Sequence, residues 1–363
     1  MNYLDRNEFN FEPSQKVIDA VKNFDPKDLC FYTRIYDQGK KSVISVRLSQ
    51  IYGVPEERVL LAYGGEEILK NAIHYFLMEG DNKTILIPEF SWWYYNRVAS
   101  ECGGTFEMYP LHELDDTFAY HIDEVIEYTN RIHPRMLLLA SPNNPTGNSL
   151  SSEEIGQIME NIPSDTMVLV DEAYASFITS DTDYIAPLVN KYRNLIISRT
   201  LSKFYGLPGL RVGFLILDKE LMGKLTVAKQ CVDVHTPVYP QMLIHRYITR
   251  YDFDAHIAEN CKLYKAQLDR MLAGLEKNLD PRVKFTRPQG GLFIWCQLPE
   301  GYSGYELCQL ASAQKVACVP GNAFDPAEWK GNPGFRLNFS MPTMEQIDTG
   351  CEILGNCVRE YLK

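Results

Sequence analysis

Between about residues 58 and 217, short aliphatic runs recur with helix-like segments between them, and this alternation limits the chain to few folds. The runs are Val59-Leu60-Leu61, Thr84-Ile85-Leu86-Ile87, Met136-Leu137-Leu138-Leu139, Met167-Val168-Leu169-Val170 and Leu195-Ile196-Ile197. Each is strand-sized and lacks the polar alternation of a strand with one wet face, so each reads as buried on both sides. Such strands separated by helices make an α/β domain with a mostly parallel sheet flanked by helices, which binds ligands in the loops beyond the carboxyl ends of its strands. After about residue 252 the pattern changes to a long charged helical stretch ending at Asn278, β-like Gly291-Leu292-Phe293-Ile294-Trp295, a helix, Gly334-Phe335-Arg336-Leu337-Asn338 and a terminal helix. The expected organisation is an N-terminal arm contributing to a small domain (1–35), a large domain (36–250) and a smaller α+β domain (251–363).

Composition excludes several classes. The net charge is −11, from 36 basic and 47 acidic residues, with no basic run to neutralise phosphates, which disfavours nucleic acid as a partner. The opening Met1-Asn2-Tyr3-Leu4-Asp5-Arg6 lacks the apolar stretch of a signal peptide, and Met136-Leu137-Leu138-Leu139-Ala140 is too short to cross a bilayer. A cytoplasmic chain without a membrane partner is expected. Nine cysteines without a Cys-x-x-Cys pair, and seven histidines without His-Glu-x-x-His, argue against a disulfide framework and against a metal site. No Gly-x-Gly-x-x-Gly follows the first strands, which removes the nicotinamide dehydrogenase reading.

Four strand-end segments carry candidate chemistry. Lys203 lies with Thr200, Ser202 and Arg211 among groups suited to a phosphate, and a nearby cation lowers an amine's pKa and favours its reaction with a carbonyl. Taken alone, Ser202-Lys203 also fits a solvated lysine at a helix start. Gly64-Gly65 before a helical pattern allows close backbone approach, and the amides of Gly65 and Glu66 can receive an anion. A plain turn is the other reading, and the carboxylates of Glu66 and Glu67 must point away from any phosphate. Asp171 ends an apolar strand, where an ionised carboxylate needs a cation such as a protonated ring nitrogen, or else caps the next helix. Tyr174 and Asn144 can reach a ring hydroxyl, although Asn144-Pro145-Thr146-Gly147 is also a good turn.

In that order, Asn144-Pro145-Thr146-Gly147, Asp171-x-x-Tyr174, Thr200-x-Ser202-Lys203 and Arg211 resemble the fold-type I pyridoxal-phosphate aminotransferases. The histidinol-phosphate aminotransferase branch is the most similar, from Asn7-Glu8 to Arg336. The resemblance implies that Lys203 forms a Schiff base with pyridoxal 5'-phosphate, Asp171 pairs with its pyridinium, and Asn144 and Tyr174 hold its ring oxygen. It places Phe90 against the ring, although a core aromatic beside Trp92 and Trp93 explains Phe90 equally well. Tyr36 matches a tyrosine reaching the phosphate of the neighbouring subunit, which implies a homodimer with shared sites. Arg336 matches the arginine that grips the substrate carboxylate, with a surface salt bridge as its alternative.

The expected activity is transfer of an amino group from an amino acid or amino-alcohol phosphate to a 2-oxo acid such as 2-oxoglutarate. The rival on the same scaffold is a lyase or decarboxylase, because these residues install the electron sink without choosing the bond. A cofactor-sensing domain of a transcription regulator is disfavoured by the acidic total and by the lack of a basic helix-turn-helix segment before Asn7. Two departures bear on the donor. Val319-Pro320-Gly321 stands where the histidinol-phosphate enzymes carry a basic residue, and Pro288-Gln289-Gly290-Gly291 with Trp295 resembles general amino-acid aminotransferases. The aromatic set Phe9, Phe11, Tyr36, Phe90, Trp92 and Trp93 points to an aromatic or imidazole-bearing substrate.

Overall fold

The five aliphatic runs are strands of a single seven-stranded sheet in the computed structural model of the chain, which describes residues 1–9, 15–23, 26–30, 43–175, 185–230, 237–250 and 253–363. In chain order the strands are β1 (Val59–Ala62), β2 (Thr84–Pro88), β3 (Thr105–Tyr109), β4 (Met136–Ala140), β5 (Met167–Asp171), β6 (Leu195–Thr200) and β7 (Gly213–Ile216). Their spatial order is β1-β7-β6-β5-β4-β2-β3. All neighbours are parallel except β7, which runs antiparallel to both β1 and β6. Alternate residues of each run enter opposite layers. Leu61, Leu86, Leu137, Val168 and Ile197 join one buried cluster, and Leu60, Ile85, Leu138, Leu169 and Ile196 join the other. Burial on both faces is why these strands read as unbroken aliphatic runs.

The strands β3 and β7 carry weaker signals. The sequence Thr105-Phe106-Glu107-Met108-Tyr109 lies at the sheet edge with alternating exposure, and β7 has only four residues. Helix α1 (Gly65–Met78) follows β1 and buries Ile68, Leu69, Ala72, Ile73, Phe76 and Leu77 on one face. Helix α2 (Tyr94–Glu101) follows β2 and buries Tyr95, Val98 and Ala99.

A second, four-stranded antiparallel sheet contains β8 (Lys284–Phe285), β9 (Phe293–Gln297), β10 (Val319–Pro320) and β11 (Gly334–Asn338), in the order β8-β9-β11-β10. The helices Phe253–Asn278 and Met344–Tyr361 pack together closely, and a Cβ on Gly355 would lie 2.3 Å from the Asn278 carbonyl oxygen. The chain's first residues lie against this part: Asn2–Tyr3 pairs with Val316–Ala317, and Asn338 N–H donates to Leu4 O at 2.7 Å. Among the described residues no helix is long and apolar enough to cross a membrane. The described cysteines form no disulfide, and Cys261, Cys296, Cys308, Cys351 and Cys357 are buried.

Candidate active site

The carboxyl edge of the large sheet faces the small sheet across a cavity of about 340 Å³. In this α/β architecture the loops after the parallel strands converge there. Asp171, the last residue of β5, lines the cavity with Tyr174 just beyond it. The end of β6 supplies Thr200, followed by Ser202 and Lys203, and Arg211 enters from just before the antiparallel β7. Gly65 and Glu66 come from the start of α1, Asn144 from the turn after β4, and Arg336 from β11 of the other sheet.

One end of the cavity is built to receive an anion. Gly64, with φ +90°, lies so close to Arg211 that a Cβ there would stand 2.5 Å from Nη2. A Cβ on Gly65 would lie 3.1 Å from that of Thr200. The Thr200 hydroxyl donates to Ser202 Oγ at 3.0 Å and accepts the Ser202 N–H at 3.1 Å. Of the two helix-start carboxylates, Glu67 is turned back, accepting the Tyr63 N–H at 3.0 Å and the Asn71 amide. Among the described residues Arg211 ion-pairs with no carboxylate. A helix N-terminus, two hydroxyls and a guanidinium held this close by glycines suit a phosphate.

Lys203 stands at the middle. Its Nζ lies 3.4 Å from Asn7 O and 5.8 Å from the centre of the Tyr174 ring. Burial, then the positive charge of Arg336 and to a smaller degree of Arg211, lowers its pKa to about 8, against the pull of Glu8 and Glu66. A pKa lowered this far enlarges the neutral fraction at neutral pH, which suits an amine that acts as nucleophile or base. Burial pushes Asp171 up, and donations from the Tyr95 hydroxyl at 2.7 Å and the Ala173 N–H at 3.0 Å work against that rise.

Arg336 is a buried guanidinium without an ion-pair partner among the described residues. Its Nη1 donates to Asn144 Oδ1 and its Nη2 to Asp5 O, both at 2.8 Å, while Nε is buried without a partner. Burial lowers its pKa to about 10, with Tyr174 and Asp5 pulling the other way. A guanidinium so placed calls for a carboxylate. Tyr174 accepts the Asn7 amide at 2.9 Å, and burial raises its phenol to about 12.

Phe90, which the resemblance puts against the cofactor ring, lies just beyond β2. Its backbone takes φ +46°, and its ring packs on Trp295, with centroids 6.1 Å apart, lining a neighbouring cavity of about 450 Å³. Trp92, Trp93 and Tyr95 line the main cavity from that side. Tyr36 and Phe11 lie outside the described residues. Tyr95 carried no sequence signal, because nothing local distinguishes a tyrosine aimed at Asp171 from one packed under the sheet. Elsewhere, His112, His121 and Glu124 bring ligand atoms within 4.8 Å of one another. The two imidazoles are stacked 3.8 Å apart at 8°, and rings in parallel planes cannot both aim lone pairs at one ion.

This fold and site have counterparts among known proteins. The family described as aminotransferase class I and II matches residues 2–354. A 2-aminoadipate transaminase of Thermus thermophilus is 30% identical over 316 residues, covering 85% of this chain and 77% of that protein. A histidinol-phosphate aminotransferase of Caldicellulosiruptor saccharolyticus is 26% identical over 355 residues, 96% of this chain and 87% of the relative. Among solved structures, LysN, an α-aminoadipate aminotransferase from Thermus thermophilus complexed with N-(5'-phosphopyridoxyl)-L-leucine, superposes with a TM-score of 0.88. That match has 24% identity and covers 100% of this chain and 93% of LysN.

The fold is that of the fold-type I enzymes. The chain belongs to the class I and II aminotransferases, enzymes that use pyridoxal phosphate. The comparisons lend no support to the lyase reading.

Proposed function

We propose that this aminotransferase transfers the amino group of an amino acid with an aromatic or imidazole-like side chain to a 2-oxo acid such as 2-oxoglutarate. The observation that carries the reading is Lys203: a buried amine with its pKa lowered to about 8, between an anion cradle and Arg336, which has no ion-pair partner among the described residues. Among the described residues lining the cavity, the basic side chains are Lys203, Arg211 and Arg336. With Arg211 on the cofactor phosphate and Arg336 on the substrate carboxylate, no further cation remains there among the described residues for a second anionic group. Val319, Ala323, Phe324 and Trp92 favour an apolar or aromatic side chain over a phosphate.

In this reading Gly65, Glu66, Thr200, Ser202 and Arg211 hold the phosphate of pyridoxal phosphate, while Asp171 holds its ring nitrogen and Asn144 and Tyr174 its ring oxygen. When bound, the cofactor supplies an aldehyde to carry the amino group and a cationic ring to accept electrons from the substrate α-carbon. Arg336 fixes the substrate carboxylate, and the neutral amine of Lys203 removes the α-proton and returns a proton at the end of the transfer. Trp92 and Tyr95 line the cavity and would exclude water from it. The resemblance extends to a homodimer, in which the partner subunit's Tyr36 completes the phosphate site.

Protein supplied with pyridoxal phosphate is expected to absorb in the violet, and K203A is expected to lose that band and the activity. A panel of amino donors with 2-oxoglutarate, followed by product analysis, tests the transfer. Release of carbon dioxide or an eliminated fragment in place of the 2-oxo acid overturns it, as does a K203A protein that keeps the band.

A further inference from the structure

We propose that Tyr95 is a positioning residue for Asp171, fixing the orientation of the carboxylate that faces the cofactor ring and keeping it ionised. The inference rests on the assignment of Asp171 to the ring nitrogen made above. Both side chains are buried, Tyr95 at 3% and Asp171 at 5% exposure. The Tyr95 hydroxyl donates to Asp171 Oδ2 at 2.7 Å, and the Ala173 N–H donates to Oδ1 at 3.0 Å. Each carboxylate oxygen thus has one protein donor and retains lone-pair capacity toward the cavity. The backbone donor alone leaves the other oxygen free to swing, so the phenol sets which way the carboxylate faces.

Among the described residues the phenol has no competing acceptor. Tyr95 sits in the first turn of α2, its N–H bonded to Trp92 O at 3.2 Å and its ring edge-on to Trp92, with centroids 5.7 Å apart. Tyr120, the next phenol, donates to Ala140 O at 2.7 Å and so is directed elsewhere. Among the described residues no cation lies within ion-pair distance of Asp171; Lys203 acts on it only at longer range, and Tyr174 stands beside it on the same turn. Burial pushes the Tyr95 phenol well up, so it stays protonated and always donates. The same burial pushes Asp171 up, and the Tyr95 hydrogen bond is the largest influence holding it down. Without that hydroxyl, Asp171 becomes the stronger base and draws the proton away from the ring nitrogen.

The test compares wild type, Y95F, D171N and the double variant, each titrated with pyridoxal phosphate, with ¹⁵N NMR of cofactor labelled at the ring nitrogen. Y95F is expected to bind the cofactor about ten-fold more weakly, as suits a lost hydrogen bond to a charged group. Its ring-nitrogen signal should move from the protonated toward the neutral position. D171N should weaken binding further, and adding Y95F to it should change little, because the phenol acts through Asp171. Should Y95F not fold, Y95H takes its place: its ring donor is expected to keep the signal nearer the protonated position than Y95L does. Wild-type affinity and an unchanged ring signal in Y95F, losses that simply multiply in the double variant, or equal signals in Y95H and Y95L would overturn the role. A wild-type protein that takes up no cofactor overturns the underlying assignment instead.

Discussion

Arg336 and Asn144, 192 positions apart in the chain, meet through a 2.8 Å hydrogen bond from Nη1 to Oδ1, joining the small sheet to the turn after β4. The inner guanidinium nitrogen, Nε, is buried without a partner among the described residues, and the charge lines the wall of the cavity. Removing one partner of a buried charge contact costs about 2–5 kcal/mol. R336A is therefore expected to lower kcat/KM for amino acids by about a hundred-fold or more, mostly through KM, as steady-state kinetics would register. Because lysine cannot reproduce a planar fork, R336K should recover only part of the loss.

Lys203 makes the cofactor-free protein's stability depend on alkaline pH. Its folded-state pKa of about 8 lies below the usual 10.5. Between those values the unfolded chain binds the additional proton, so stability rises with pH across the window, by about 3 kcal/mol in full. Below pH 8 the cost of burying the charged amine is fully present. K203M, which removes that charge, should melt higher than wild type near pH 7, with the gap closing toward pH 10.5 in thermal scans of cofactor-free protein.

Gly64 is the tightest joint of the anion cradle. A side chain there meets both a left-handed backbone and the Arg211 guanidinium 2.5 Å away. G64A should cost about 1–3 kcal/mol of stability from backbone strain. It should also displace Arg211, so that cofactor affinity falls by more than stability alone explains. Denaturant midpoints and cofactor titration of the same variant separate the two effects.

The neighbour of Asp171 serves the fold instead. Glu172 Oε2 accepts from Arg199 Nε and Nη2, each at 2.7 Å, and both side chains are buried. Leaving Arg199 without its carboxylate in E172A is expected to cost about 3–5 kcal/mol. Urea unfolding should show this drop, whereas the cofactor's absorption in the surviving folded protein should stay close to that of wild type.

Much of this molecule was legible in local sequence. The aliphatic runs mark β1, β2, β4, β5 and β6 because a strand buried on both faces must be apolar throughout. Residues such as Asp171 and Thr200 stood out because they end those runs, where the loops of a parallel sheet form a ligand edge. The edge strand β3 and the short β7 lacked that signal.

Other features depended on contacts between distant residues. Insertion of the antiparallel β7 between β1 and β6 is a choice of pairing partners, which periodicity does not encode. The direction of Phe90 toward Trp295, the aim of Tyr95 at Asp171 and the Asn7 amide on Tyr174 span separations of 205, 76 and 167 positions, fixed by how the loops pack. The sequence alone determined which elements form and which chemical groups stand at their ends, since both follow from local polarity and backbone preference. Only the tertiary structure decided which of those groups face one another, because burial, which shifts the pKa of Lys203, Asp171 and Arg336, exists only once the two sheets close around them.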